Sequence, residues 1–149
     1  MIKSIKKWFE TAKPSPSVED ACVQVGCHYE EVSEMVEVFF GHQNQPYREL
    51  NYLASRFKNK RPIAVEISSN LTTQQKQELL DALCDQIVTA VGVAHMLGMD
   101  IEGALNEVNN SNWSKFEDGE PVFNEQGKIA KGRDYFAPDL TRFIGSTNK

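Results

Sequence analysis

The chain has 149 residues, a net charge of −5 and a sequence pI near 5.2. It is long enough for one ordinary domain with its own core, and too acidic to hold nucleic acid through a basic surface. Hydrophobic residues make up 40% and charged residues 25%, globular averages that exclude wholesale disorder.

Met1 to Phe9 carries Lys3, Lys6 and Lys7 with no long apolar run behind them, so neither a secretory signal nor a membrane span is expected. Residues 1–16 read as a short amphipathic start closed by Pro14-Ser15-Pro16-Ser17. Ser17 is a suitable N-cap with Asp20 three places on, and the pattern then predicts a helix from Val18 to about Phe40. Val25, Tyr29, Val32, Val36 and Phe39 mark its expected buried face, and Gly41 is a natural stop. Tyr47 to Lys58 predicts a second helix, striped by Leu50, Leu53, Ala54 and Phe57. The segment Pro62–Ile67 is ambiguous between strand and helix, with helix or irregular connection preferred. Thr72 or Thr73 can cap a long third helix, Gln74 to about Leu97, which Gly98 ends. Asp100 caps a fourth, to about Asn110. Beyond Trp113 the helical period is lost, and Asp118-Gly119 and Gln126-Gly127 are turn signals for a small hairpin or an ordered tail. The expected architecture is all-α: a bundle of four to five helices in a single domain over residues 1–149, with an irregular tail over residues 111–149.

The acids carry the chemical signal. From Pro14 to Tyr47 there is no lysine or arginine, yet Glu30, Glu31, Glu34 and Glu37 crowd one helix. Glu30, Glu34 and Glu37 are expected to project away from the apolar face, with Glu31 at its boundary. The third helix is apolar nearly all round, which predicts an interior position, but Glu78, Asp81 and Asp85 form an acidic stripe on it. Buried carboxylates without a partner cost several kcal/mol each. No lysine or arginine occurs between Gln77 and Ser114, so a divalent cation is the economical partner, and oxygen-only ligands suit Mg²⁺ or Mn²⁺. None of His28, His42 and His95 follows a glutamate by three, which excludes the di-iron bundle pattern, and no calcium-binding loop is present. Cys22, Cys27 and Cys84 form no C-x-x-C pair and read as reduced thiols.

Glu31-x-x-Glu34, then Glu78-x-x-Asp81 and Asp85, together resemble the all-α nucleoside triphosphate pyrophosphohydrolases. These include the MazG proteins, the dimeric dUTPases and phosphoribosyl-ATP pyrophosphohydrolase. The stretch "ELLDALCDQIVTAVGVAHMLGMDIEGALNEVNNSNWSKF" is similar to the phosphoribosyl-ATP-pyrophosphohydrolase-like branch of bacteria and phages, where "DALxD" and "EVxxSNxSK" recur. The closing "GKIAKGRDYFAPDL" is similar to its "GKxxKGxxYxxPDL" tail. The resemblance spans about residues 20–140. Asp81 and Asp85 both fit the second motif, which leaves the inner-shell ligand open between them.

The resemblance implies hydrolysis of a nucleoside triphosphate between its α and β phosphates in the bacterial or phage-infected cytosol. It implies Mg²⁺, replaceable by Mn²⁺, and a homodimer or homotetramer. Glu31, Glu34, Glu78, Asp81 and Asp85 would hold metal, and Glu30 or Glu31 would orient or deprotonate the attacking water. Asn109, Asn112, Lys115, Lys128, Lys131 and Tyr135 would bind the remainder of the nucleotide. Trp113 and Phe116 are expected either to stack on a base or to pack in the core. Two rival readings stand beside this one: phosphoribosyl-ATP hydrolysis, and a non-catalytic helical module whose acidic face takes a basic partner.

Overall fold

The computed structural model describes residues 1–125 and 127–145. The protein is all-α, with six helices among the described residues: α1 (Ile2–Ala12), α2 (Val18–Phe40), α3 (Gln45–Lys58), α4 (Pro62–Ser69), α5 (Thr73–Met96) and α6 (Ile101–Trp113). A two-stranded ribbon, β1 (Phe116–Glu117) with β2 (Glu120–Pro121), and a 3₁₀ turn at Thr141–Phe143 complete it.

Local chemistry places the helix ends. Ser17 and Asp20 make a reciprocal capping box at the start of α2, and Thr72 with Gln75 does the same for α5. Asn44 caps α3 through the Tyr47 amide, which moves its start two residues ahead of the expected Tyr47. Asp100 accepts from the Gly103 amide and starts α6, which runs on to Trp113 rather than ending near Asn110. The segment after Arg61 is helical, with Pro62 in the first turn, where a missing N–H costs nothing. Asp118 and Gly119 both have positive φ, +52° and +84°, in the two-residue turn between β1 and β2, the geometry that Asp-Gly favours. Gln126, half of the second turn signal, lies outside the described residues.

The chain forms two compact units, each assembled from separate segments. One contains Met1–Pro14, Thr72–Val122 and Ile129–Lys149; the other contains Ser15–Leu71 and Phe123–Lys128. In the first, Trp8 and Ala12 of α1 and Phe116 of β1 form the buried centre, with Trp113 and Ile129 against it. Trp8 stacks on Phe116 at 5.7 Å between centroids and donates its indole N–H to the Asn112 carbonyl at 2.8 Å. The N-terminal stretch is therefore core-forming, and Trp113 and Phe116 take the packing role. Gly103 lies so close to the Phe143 ring that a Cβ would overlap it, and the Asp100 amide donates to the Phe143 carbonyl at 2.8 Å. The tail is thus fastened at the start of α6.

In the second unit, α2 and α3 pack along their lengths and α4 covers part of both. The side chains closing that contact are small. Cys22, Val23, Gly26 and Ser33 of α2 and Ala54 of α3 are buried, whereas Val25, Tyr29, Val32 and Val36 are half-buried and Phe39 is exposed. At about 100° per residue, the true contact face is rotated by about 100° from the one the large apolar residues mark. Close approach of two backbones needs small residues, and this need outranked the full burial of Val25, Val32 and Val36.

The expectation that α5 lies in the interior is overturned. Of its side chains only Ala94 is buried; Leu80 is 63% and Val88 67% exposed. Within its unit α5 meets α6 next to the turn that joins them, while α1, the ribbon and α6 pack on one another. Glu78, Asp81 and Asp85 are exposed as well, so the cost of burying unpartnered carboxylates does not arise for them within the chain. By length and composition alone α5 would also cross a membrane. Asp81 and Asp85 oppose that, because an aspartate at the middle of a spanning helix costs about 2.5–3.5 kcal/mol.

Candidate functional site

Gly26 fixes the geometry of the candidate site. A Cβ there would stand 2.7 Å from the Lys58 backbone nitrogen and 2.8 Å from the Ala54 carbonyl oxygen. The glycine lets α3 end against α2, and one turn further along α2 Glu30 faces the Lys58 side chain. Lys58 Nζ lies 2.5 Å from Glu30 Oε1. The other oxygen, Glu30 Oε2, accepts from Lys128 Nζ at 3.0 Å. Lys128 is held by its own turn: the Asn124 amide donates to the Lys128 carbonyl at 2.9 Å, and the Lys128 amide donates to Asn124 Oδ1 at 3.0 Å. Three elements of one unit thus converge on a single carboxylate.

This answers part of the electrostatic problem that the basic-free stretch poses. Glu30 does not project away from the packing face; its side chain is 25% exposed and meets two ammonium groups from distant parts of the chain. Burial alone would raise its carboxyl, but hydrogen bonds from Lys58 and Lys128 outweigh that and hold it below the ordinary range. A carboxylate held so is a weak base. Lys128 is raised in turn: burial, the largest influence, would lower it, but the Glu30 hydrogen bond and the attraction of Cys27, Glu30 and Glu31 together outweigh that. Glu37 lies 3.3 Å from His42 Nδ1.

Glu31 and Glu34 are exposed, one turn apart on α2, and among the described residues neither is ion-paired. Glu34 is pushed above the ordinary carboxylate range, first by burial, then by the negative charges of Glu31 and Glu30. A carboxyl raised by its acidic neighbours gains from any cation placed among them. That donor set is all oxygen, which suits Mg²⁺ or Mn²⁺. Glu31 and Glu34 belong to one unit and Glu78, Asp81 and Asp85 to the other. Among the described residues, no three Asp, Glu, His or Cys side chains gather into a group that could hold a metal.

The expected nucleotide-binding residues divide in the same way. Lys128 joins Glu30. Asn109 is buried and its amide donates to Ser4 Oγ at 2.8 Å, tying α6 to α1. Asn112 Oδ1 accepts from Lys115 Nζ at 2.6 Å. Lys131 lies over the Tyr135 ring, 4.7 Å from its centroid. Lys58 was not foreseen. Its signal was the run of small residues Cys22, Gly26 and Ser33 on one helical face, which marks a close crossing and hence the partner of Glu30 one turn beyond Gly26.

The chain matches no family model, no curated protein and no solved structure.

Proposed function

We propose that the protein hydrolyses a nucleoside or deoxynucleoside triphosphate between its α and β phosphates, with Mg²⁺, releasing pyrophosphate. The observation that carries this reading is the placement of Glu31 and Glu34 one turn apart on α2, both exposed and, among the described residues, neither ion-paired. The resemblance of the Glu31–Glu34 and Glu78–Asp81–Asp85 motifs to the pyrophosphohydrolases supports it. Mg²⁺, when bound, would neutralise phosphate charge and lower the pKa of water.

Glu31 and Glu34 would hold that ion from α2, and the resemblance implies Glu78 and Asp81 or Asp85 as further donors. The role of general base passes to Glu31, because both oxygens of Glu30 are engaged by lysines. Lys115, Lys128 and Lys131 would act as point-charge phosphate partners, Asn112 would read a base or sugar edge, and the resemblance adds Tyr135 to the substrate-binding residues. The active species would be a homodimer or homotetramer, since among the described residues the apolar side chains of α5 are left exposed and a symmetric copy would cover them.

Release of pyrophosphate from a panel of ribo- and deoxyribonucleoside triphosphates, with phosphoribosyl-ATP included, tests the proposal and separates the substrates. The absence of release from every member, with folded protein and Mg²⁺, would overturn it. A second reading, a non-catalytic interaction module, is favoured by the same exposed α5, whose apolar residues and acidic stripe would suit an amphipathic basic helix.

A further inference from the structure

We infer that Lys58 and Lys128 form a paired cationic seat for a phosphate group of the substrate, and that Glu30 is the positioning residue that holds the two ammonium groups together. This rests on the hydrolase reading above and deepens it by assigning a phosphate seat, with Lys58 as a new member.

Several observations converge on it. One carboxylate is shared by two lysines, at 2.5 and 3.0 Å, so the pair carries one positive charge beyond what Glu30 neutralises. Neither lysine is placed by chance. Lys58 stands where α3 touches Gly26, a crossing that admits no Cβ. Lys128 sits at the end of a turn closed by two reciprocal hydrogen bonds with Asn124. The Lys58 side chain is 20% and that of Lys128 41% exposed, so the pair is partly dehydrated yet open to an incoming group. A lysine pair fixed before the ligand arrives loses little side-chain freedom on binding, and a phosphate oxygen makes a stronger charge-assisted partner than water. Glu31 and Glu34 follow on the same helix, so the phosphate would lie between ammonium donors and the carboxylates that hold its counter-ion.

A purely structural role would have Lys58 and Lys128 doing no more than pinning α3 and the Phe123–Lys128 turn to α2. The two roles separate in one experiment. The folded full-length chain is titrated with inorganic pyrophosphate in the presence of Mg²⁺, and the lysine side-chain resonances are followed by NMR alongside calorimetry. The expected result is that the Lys58 and Lys128 signals shift on binding. Lys58→Met should then weaken pyrophosphate binding about tenfold, with recovery in Lys58→Arg. In turnover, Lys58→Met should raise KM about tenfold and leave kcat within about twofold, the signature of a lost ground-state contact.

Pyrophosphate that moves neither lysine signal, or binds Lys58→Met as tightly as the native chain, overturns the inference whether or not any triphosphate is cleaved. Should Lys58→Met fail to fold, the resonance shifts in the native chain and the affinity of Lys58→Arg still decide. A native chain that binds pyrophosphate at these lysines but cleaves no triphosphate would sustain the seat and sink the hydrolase reading.

Discussion

Glu30 and Lys128 are separated by 98 positions in the chain, and their side chains meet at 3.0 Å. Lys58 takes the other oxygen of the same carboxylate at 2.5 Å. This three-residue contact joins the α2–α3 pair to the Phe123–Lys128 turn and makes the second unit pH-dependent in a definite direction. The Glu30 carboxyl is held below its ordinary value of 4.5. Its stabilising contribution is therefore complete above that unfolded-state value and fades as pH falls through the lowered folded-state value. Glu30→Gln should cost about 1–3 kcal/mol at neutral pH, because two partly buried ammonium groups lose their acceptor. Denaturant unfolding at pH 7 and at pH 3 checks this, and the gap between native and variant chains should narrow in acid.

Glu34 has the opposite sign. Its folded-state pKa is raised, so its charge opposes folding above the unfolded-state value, and that opposition disappears on acidification. Glu34→Gln should melt at or above the native temperature at pH 7, and the difference should close near pH 4. Under the hydrolase reading it should also lose about a hundredfold in rate at limiting Mg²⁺. Full rate there would show that Glu34 is no ligand. Asp81→Asn and Asp85→Asn, compared in the same assay, identify the inner-shell residue by the larger loss.

Gly26→Ala should destabilise the second unit by about 1–3 kcal/mol. The added methyl would meet the Lys58 backbone nitrogen and the Ala54 carbonyl, neither of which can rotate away. Equilibrium unfolding measures the loss, and an unchanged midpoint would mean that α2 and α3 do not cross at this glycine.

The exposed apolar surface of α5 should be covered in solution. Sedimentation equilibrium is expected to give a dimer or tetramer, and Leu80→Glu with Val88→Glu, at positions 63% and 67% exposed, should yield monomer. A native chain that stays monomeric at micromolar concentration removes the oligomer from the proposal.

Helix boundaries were legible because they depend on neighbours in sequence. The Ser17–Asp20 box, the Thr72 and Asp100 caps, Gly41, Gly98 and the Asp118-Gly119 turn all act over four residues or fewer, and each is found where local chemistry sets it. The stretch after Pro62 was less legible, since eight residues give too little periodicity to separate helix from connection. Which face of α2 packs was misread. Hydrophobic period favours the largest apolar residues, whereas the crossing with α3 is governed by Gly26, Ser33 and Ala54, whose value lies in what they leave out.

Sequence by itself determined the long helices, the caps at Ser17, Thr72 and Asp100, the all-α class and the unanswered negative charge on α2. Tertiary structure alone decided that Glu30 would find Lys58 and Lys128, that Trp8 would serve as a core residue, and that the apolar side chains of α5 would be exposed among the described residues. The physical reason is range. Capping and periodicity act through bonds to near neighbours, while ion pairing and burial depend on which distant segments the close packing brings together.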